Sequence, residues 1–372
     1  MFTYLFWFFF HLSFETKMIS YNFSDSFGIP SAWMHLGEPP QKKYLDLDME
    51  VQFNWLNVKN YDPEKSVSHK KHDKKLIRVQ NQSAHGVRIE ESLYFPNENQ
   101  LFEHFNFYFV SNSFAFTGGC LSLTYNHHNK NFSIVHQLYD SNLIDKLSFS
   151  VISSDKAKGI LTFGGIPEIG IRSNKYNGTC KVNENRDTWG CDLKKVTIGK
   201  YTYNNKYPMH FQSGESDVRI PKDFFLFLKN EVFKEYLETN ECSLIKFIIN
   251  DVIRCEYRVY NELPDFYFDF GEYSVTIDKK YLFHQMFKQM QLVLYIQKEG
   301  ETDWIFGMPF FKSHHVLFDY DNNTITFYSN TTIIHWGDIK YYQKILFWYC
   351  IGMLICTIIV LLGVKVIKDI KI

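Results

Sequence analysis

An all-β fold followed by a C-terminal transmembrane helix is what this 372-residue chain predicts, on three observations. Aromatic residues make up 18% of it, led by 36 Phe and 24 Tyr, and aromatic and β-branched residues favour strands over helices. Apolar and polar residues alternate with period two, as where Leu45, Leu47, Met49 and Val51 interleave with Asp46, Asp48 and Glu50. Near the end, residues 345–364 carry no charge. At roughly 1.5 Å per residue such a helix covers the ~30 Å hydrocarbon core of a bilayer.

The length suits two domains, each with its own core. Balanced charge, a formal net of -1, gives no electrostatic case for nucleic acid or an acidic substrate. Residues 1 to about 14 form an apolar run too short to span a bilayer, a length suited to a signal-peptide core. We therefore read 1–18 as a signal peptide and 345–364 as a single membrane span, followed by a cytosolic tail over 365–372. Lys365, Lys368 and Lys371 follow the span and Lys344 alone directly precedes it, which orients the body to the lumen or cell exterior. The expected location is a single-pass membrane protein of the secretory pathway or cell surface. Cys180 and Cys191 can close one short loop and Cys242 and Cys255 another, leaving Cys120; spacing alone leaves the connectivity open. Asn-x-Ser/Thr sequons at Asn22, Asn81, Asn131, Asn177, Asn322 and Asn330 are compatible with the same route.

The alternating stretch gains meaning from its neighbours. Taken alone, Asp46, Asp48 and Glu50 read as the half-solvated acidic face of a strand. They follow Gly37-Glu38-Pro39-Pro40-Gln41 and precede Trp55. This arrangement resembles the first active-site segment of pepsin-family aspartic proteases, where Gly-x-Pro-Pro-Gln leads into a strand ending in Asp-Thr-Gly, with a Trp beyond. Counted from Gln41, Asp48 falls on the catalytic aspartate and Trp55 on the Trp, while Met49 and Glu50 replace Thr and Gly. The resemblance continues in order. Asn60 to Ser66 is similar to the family's Phe-x-Pro-x-x-Ser piece, and the basic run His69 to Lys75 reads as a solvated loop, with no third ligand to make His69 and His72 a metal site. Leu76–Gln80 and Val87–Ile89 read as hairpin arms around residues 81–86, the family's flap, with Val79 near its Tyr position. Residues 138–144 read as a short helix, and Leu147–Val151 and Gly159–Ile166 as strands that resemble the family's Phe-Ser and Gly-x-Leu-x-x-Gly-Gly strands.

In the second half, Trp189, Leu193, Val196, Ile198 and Gly199 resemble the opening strands of the family's C-terminal lobe. Ser213, Gly214, Ser216 and Pro221 keep the register of its second active-site loop, so Gln212 stands where the second aspartate belongs. Residues 221–237 read as a helix, with Phe224, Phe225, Leu228 and Val232 at helical spacing. Trp304 to Asp319 and Asn322 to Phe327 resemble the family's closing motif almost without a gap, with Met308 replacing an Asp. His314 and His315 are no ligand pair, because adjacent strand residues point to opposite faces.

The resemblance, over residues 26–328, implies a bilobal pepsin-like fold with lobes at 19–166 and 167–338. It implies no cofactor and no metal. Its chemistry needs two carboxylates sharing one proton, one acting as base toward water while the other polarises the scissile carbonyl. A Gln amide cannot exchange that proton, and Met49 lacks the hydroxyl the family places beneath the pair. The expectation is a membrane-anchored, non-catalytic homologue binding a peptide or protein partner in its interlobe cleft. The alternatives are an active endopeptidase with an unusual dyad, and a surface scaffold whose cleft has no function.

Overall fold

The computed structural model describes residues 17–333, apart from 27–28, 58–60, 80–81, 96–99, 111–117, 126–131, 155–157, 167–170, 173–175, 185, 248–249, 287, 293, 298–300 and 330–331. The proposed signal peptide, apart from Lys17 and Met18, and the proposed membrane span therefore lie outside the described residues. Among those described, no helix is long and apolar enough to cross a membrane.

Contacts divide the chain into two units. The larger comprises residues 1–167 and 174–331; the smaller, 168–173 and 332–372, contributes one described antiparallel pair, Ile171–Arg172 with Thr332–Ile333.

The larger unit is built of strands, as the composition predicts. A 13-stranded sheet runs through it, and both halves of the chain supply it. His314–Asp319, from the second half, pairs antiparallel with Ser148–Ser153 from the first, Val316 opposite Val151 and Phe318 opposite Phe149. Aromatic side chains fill the seam: Phe318 stacks on Phe149, and Trp189 reaches both Phe318 and Tyr320. These residues are almost wholly buried, each worth a few kcal/mol of apolar transfer.

Each half contains the same four-strand unit. In the first, Gln41–Asp48 lies parallel to Gly119–Ser122, which pairs antiparallel with Trp55–Asn57, itself parallel to Gln100–Val110. In the second, Met209–Phe211 lies parallel to Trp304–Phe306, which pairs antiparallel with Val218–Ile220, itself parallel to Leu294–Ile296. In each unit a chain segment leaves the first strand through a loop and returns as the third. The two loops so formed carry Asp48 and Gln212.

Several local expectations need correction. The flap-like hairpin is formed by Lys70–Val79 and Gln82–Phe95, with Val79 opposite Gln82, so residues 82–86 are strand and not part of a turn. Gly86 is buried between Lys75 and Val110, where an interior backbone position replaces the exposed turn its type suggests. The basic run is not a loop either: from Lys70 onward it forms the outer strand of the sheet, its lysines facing solvent. Charged side chains on an edge strand discourage pairing with other chains. The first-half helix spans Ile134–Asp140, earlier than expected, because Ile134, Val135 and Leu138 supply the buried face. The helical stretch after Pro221 is three short pieces, Lys222–Phe227, Leu228–Val232 and Lys234–Glu238.

The hairpin is anchored at its base by Glu91, which is fully buried. Its carboxylate accepts from the Tyr61 and Ser68 hydroxyls, and from the Ser92 amide at 2.8 Å. Gly37, at φ +81°, permits this: a Cβ there would lie 2.7 Å from Ser66 Oγ and 3.2 Å from Glu91 Oε2. Two disulfides, Cys180–Cys191 and Cys242–Cys255, close the loops the spacing suggested, the second joining opposite residues of an antiparallel pair. Cys120 is a buried free thiol. Of the sequons, Asn322 is exposed in a turn, whereas Asn22 has its side-chain oxygen sealed within a strand. Asn177 is half-buried, and Asn81, Asn131 and Asn330 fall outside the described residues.

Candidate active site

Asp48 ends its strand, and the chain turns sharply behind it. Its backbone carbonyl accepts from Leu123 N at 2.7 Å, and Ser122 Oγ donates to the Val51 carbonyl at 2.5 Å. Asn54 closes the loop from below, its side-chain oxygen accepting from Ser122 N at 2.8 Å and its amide donating to Asn106 O at 3.2 Å. Asp48 is only 8% exposed, so of the acidic face that the residues alone suggested, Asp46 stays half-buried and Glu50 exposed while Asp48 is drawn inside. Its Oδ1 accepts backbone amides from Glu50 at 2.7 Å and Val51 at 3.1 Å.

The second loop starts one residue after Phe211, which is held among Phe306, Phe310 and Phe327. Gln212 N donates to Phe306 O at 3.1 Å. Asp48 and Gln212 therefore occupy corresponding positions in the two units. Asp48 lies opposite Ser122, and Gln212 follows the Phe211–Phe306 pair, which puts it level with Gly307. Gly307 must lack a side chain, since a Cβ would sit 2.3 Å from the carbonyls of both Glu215 and Asp217.

The loops touch directly. Ser213 Oγ donates to the Leu47 carbonyl at 2.6 Å, a bond between residues 166 apart in sequence. The corresponding bond in the other direction needs a hydroxyl at residue 49, where buried Met49 has none. A Cβ on Gly214 would lie 3.8 Å from Asp48 Oδ2. The Gln212 amide, however, donates to Glu50 Oε2, and no hydrogen bond joins Gln212 to Asp48. The contact to Glu50 was invisible in the sequence, where Glu50 appears only as an ill-fitting replacement for Gly.

Four carboxylates surround this junction. Burial raises the pKa of Asp48, opposed by its two backbone hydrogen bonds. Glu50, exposed as a residue, is raised by the partial burial of its carboxylate and by the charges of Asp48 and Glu215, offset by Arg219. Glu215 is raised by burial, offset by Arg219, whose guanidinium donates to its Oε1 at 2.6 Å. Asp217 is raised by burial, offset by a hydrogen bond from Ser216. Nothing in the sequence marks Arg219 as the partner of Glu215. The described residues contain no cluster of three or more His, Cys, Asp or Glu that could hold a metal ion. His69 is turned to the Ser66 carbonyl at 2.7 Å.

Two matching strand-loop-strand units, their loops joined beneath a carboxylate, define the architecture of an aspartic-protease-type cleft. Sequence comparison agrees: the family of eukaryotic aspartyl proteases matches residues 40–329, and the chain belongs to it. Among curated relatives, it is similar to Plasmepsin I of two Plasmodium falciparum isolates, at 26% identity over 202 residues in each case. That match covers 52% of this chain and 41% of each relative, so it spans under half the length of the proteins it resembles.

Proposed function

We propose that this protein is a membrane-anchored member of its family that binds a peptide or protein segment in its cleft without hydrolysing it by the paired-aspartate mechanism. The observation that carries this reading is the Gln212 side chain, which holds the position in the second unit that Asp48 holds in the first and donates to Glu50. The paired-aspartate mechanism needs one ionised and one protonated carboxyl sharing a proton, and an amide supplies neither. Binding is supported by the two loops, which remain joined through Ser213 although the reciprocal bond at Met49 is missing. The apolar segments at 1–14 and 345–364 support a body held on the lumenal or external side of a membrane.

The test is cleavage of a broad peptide library at acidic pH. Wild type is expected to show no cleavage that Asp48→Ala removes. The triple change Met49→Thr, Glu50→Gly and Gln212→Asp rebuilds the pair and its hydroxyl, and is expected to cleave at least ~10²-fold faster than wild type. Cleavage by wild type that Asp48→Ala abolishes would overturn the proposal.

One observation favours a second reading. The Asp48 charge helps raise the pKa of Glu50, whose carboxylate accepts the Gln212 amide, so that Glu50 supplies the second carboxylate of an unusual dyad. In that case wild type cleaves, and Glu50→Gln eliminates cleavage as completely as Asp48→Ala. If neither cleavage nor any cleft-bound partner is found, a scaffold role remains.

A further inference from the structure

A cavity of about 530 Å³ opens at the base of the hairpin, away from the two loops. None of Asp48, Glu50, Gln212 or Glu215 lines it. Its volume falls within the range of small-ligand sites. Half-buried Val87 and Phe109 give it an apolar wall backed by the buried Tyr61 and Ile89, and Gln41, Lys43 and the Pro63–Lys65 turn complete it.

The charges on its rim are unevenly used. Lys71 is paired with Glu64, and Lys65 with Asp62 at 3.2 Å. Asp62 is further occupied, because its Oδ1 accepts from Glu64 N at 3.2 Å and its backbone is gripped on both sides by Gln41. Lys43 is left: it is half-buried and makes no ion pair among the described residues. Burial and the neighbouring Lys65 hold its pKa below the ordinary value, and Asp62 offsets this only in part. An ammonium in that position is better stabilised when an anion reaches it.

We propose that this cavity binds an apolar monocarboxylate, its hydrocarbon body against Val87 and Phe109 and its carboxylate on Lys43 Nζ. One unpaired cation suits a single negative charge. A doubly charged phosphate would meet Asp62 and Glu64 on the same rim. The carboxylate could belong to a free organic acid or to the C-terminus of a peptide ending in an apolar residue; both offer the same chemistry.

Calorimetry on the full-length chain tests this with 3-phenylpropionate, its neutral amide, and a peptide ending in Phe with free or amidated C-terminus. The expected result is that the acid form of at least one pair binds about tenfold or more tightly than its amide. Lys43→Met should remove that preference and Lys43→Arg preserve it, with unchanged melting temperatures confirming that both fold. A cavity-filling Val87→Trp should block binding altogether. A preference confined to the phenylpropionate pair identifies a free acid as the ligand, and one confined to the peptides identifies a chain terminus. The proposal is overturned if acid and amide bind alike, if neither pair binds, or if Lys43→Met or Val87→Trp leaves the preference intact. The readout does not involve Asp48 or Gln212, so its failure would leave the reading of the cleft standing.

Discussion

Glu50 lies two residues beyond Asp48, and the Gln212 amide ends on its carboxylate. Its pKa is raised in the fold, so the fold favours its neutral form. That contribution is fully present below the unfolded pKa near 4.5 and is lost as pH rises through the higher folded value. Glu50→Gln keeps a hydrogen-bonding group while removing the charge. The variant should therefore melt at a higher temperature than wild type at pH 7, with the gap closing as pH falls toward about 4.5. A gap that stays constant with pH would show that Glu50 carries no such penalty. At this scale the sequence was informative where spacing fixed a position, as for Asp48 counted from Gln41 and Gln212 counted back from Ser213. It was silent on Glu50 with Gln212 and on Ser213 with Leu47. Those contacts join residues 162 and 166 apart, and only the folded arrangement of two loops creates them.

Strands and loops came through unevenly. Alternating burial made Gln41–Asp48 legible, since Leu45 and Leu47 point inward. The hairpin was placed correctly in order but its turn was misassigned, because Asn81 to Gly86 has the composition of a turn. Pairing with a neighbour on each side overrides that local preference and draws Gly86 into the sheet. Glu91, an acidic residue in the hairpin's second strand, gave no sign of being buried. Removing its carboxylate strands the Tyr61 and Ser68 hydroxyls and the Ser92 amide. Glu91→Ala should cost about 3 kcal/mol or more, seen as a lower denaturant midpoint, and Glu91→Gln should cost less. A midpoint within error of wild type for Glu91→Ala would mean that the hairpin base does not depend on this network.

Across the whole molecule, the all-β class and the order of elements could be read from aromatic content and motif succession. The shared sheet could not, because pairing between distant strands leaves no periodicity in sequence. It places His315 beside Tyr328 with neither ring nitrogen hydrogen-bonded among the described residues. Burial lowers its pKa from 6.5 to about 3. Stability from the neutral ring is complete above pH 6.5 and is lost progressively as pH falls toward about 3. At pH 5 the loss is on the order of 2 kcal/mol, the opposite trend from Glu50. His315→Phe should therefore lose less unfolding free energy than wild type between pH 7 and pH 5; an equal loss in both would assign the acid sensitivity elsewhere. The same sheet bears on what a severed backbone would do. With Val316 to Asp319 hydrogen-bonded edge to edge with residues 148–151, a nick in the connection between the halves releases neither. The two fragments would remain one particle, held by strand pairing and a common aromatic interior, and each would carry one of the two joined loops without being able to form the site by itself.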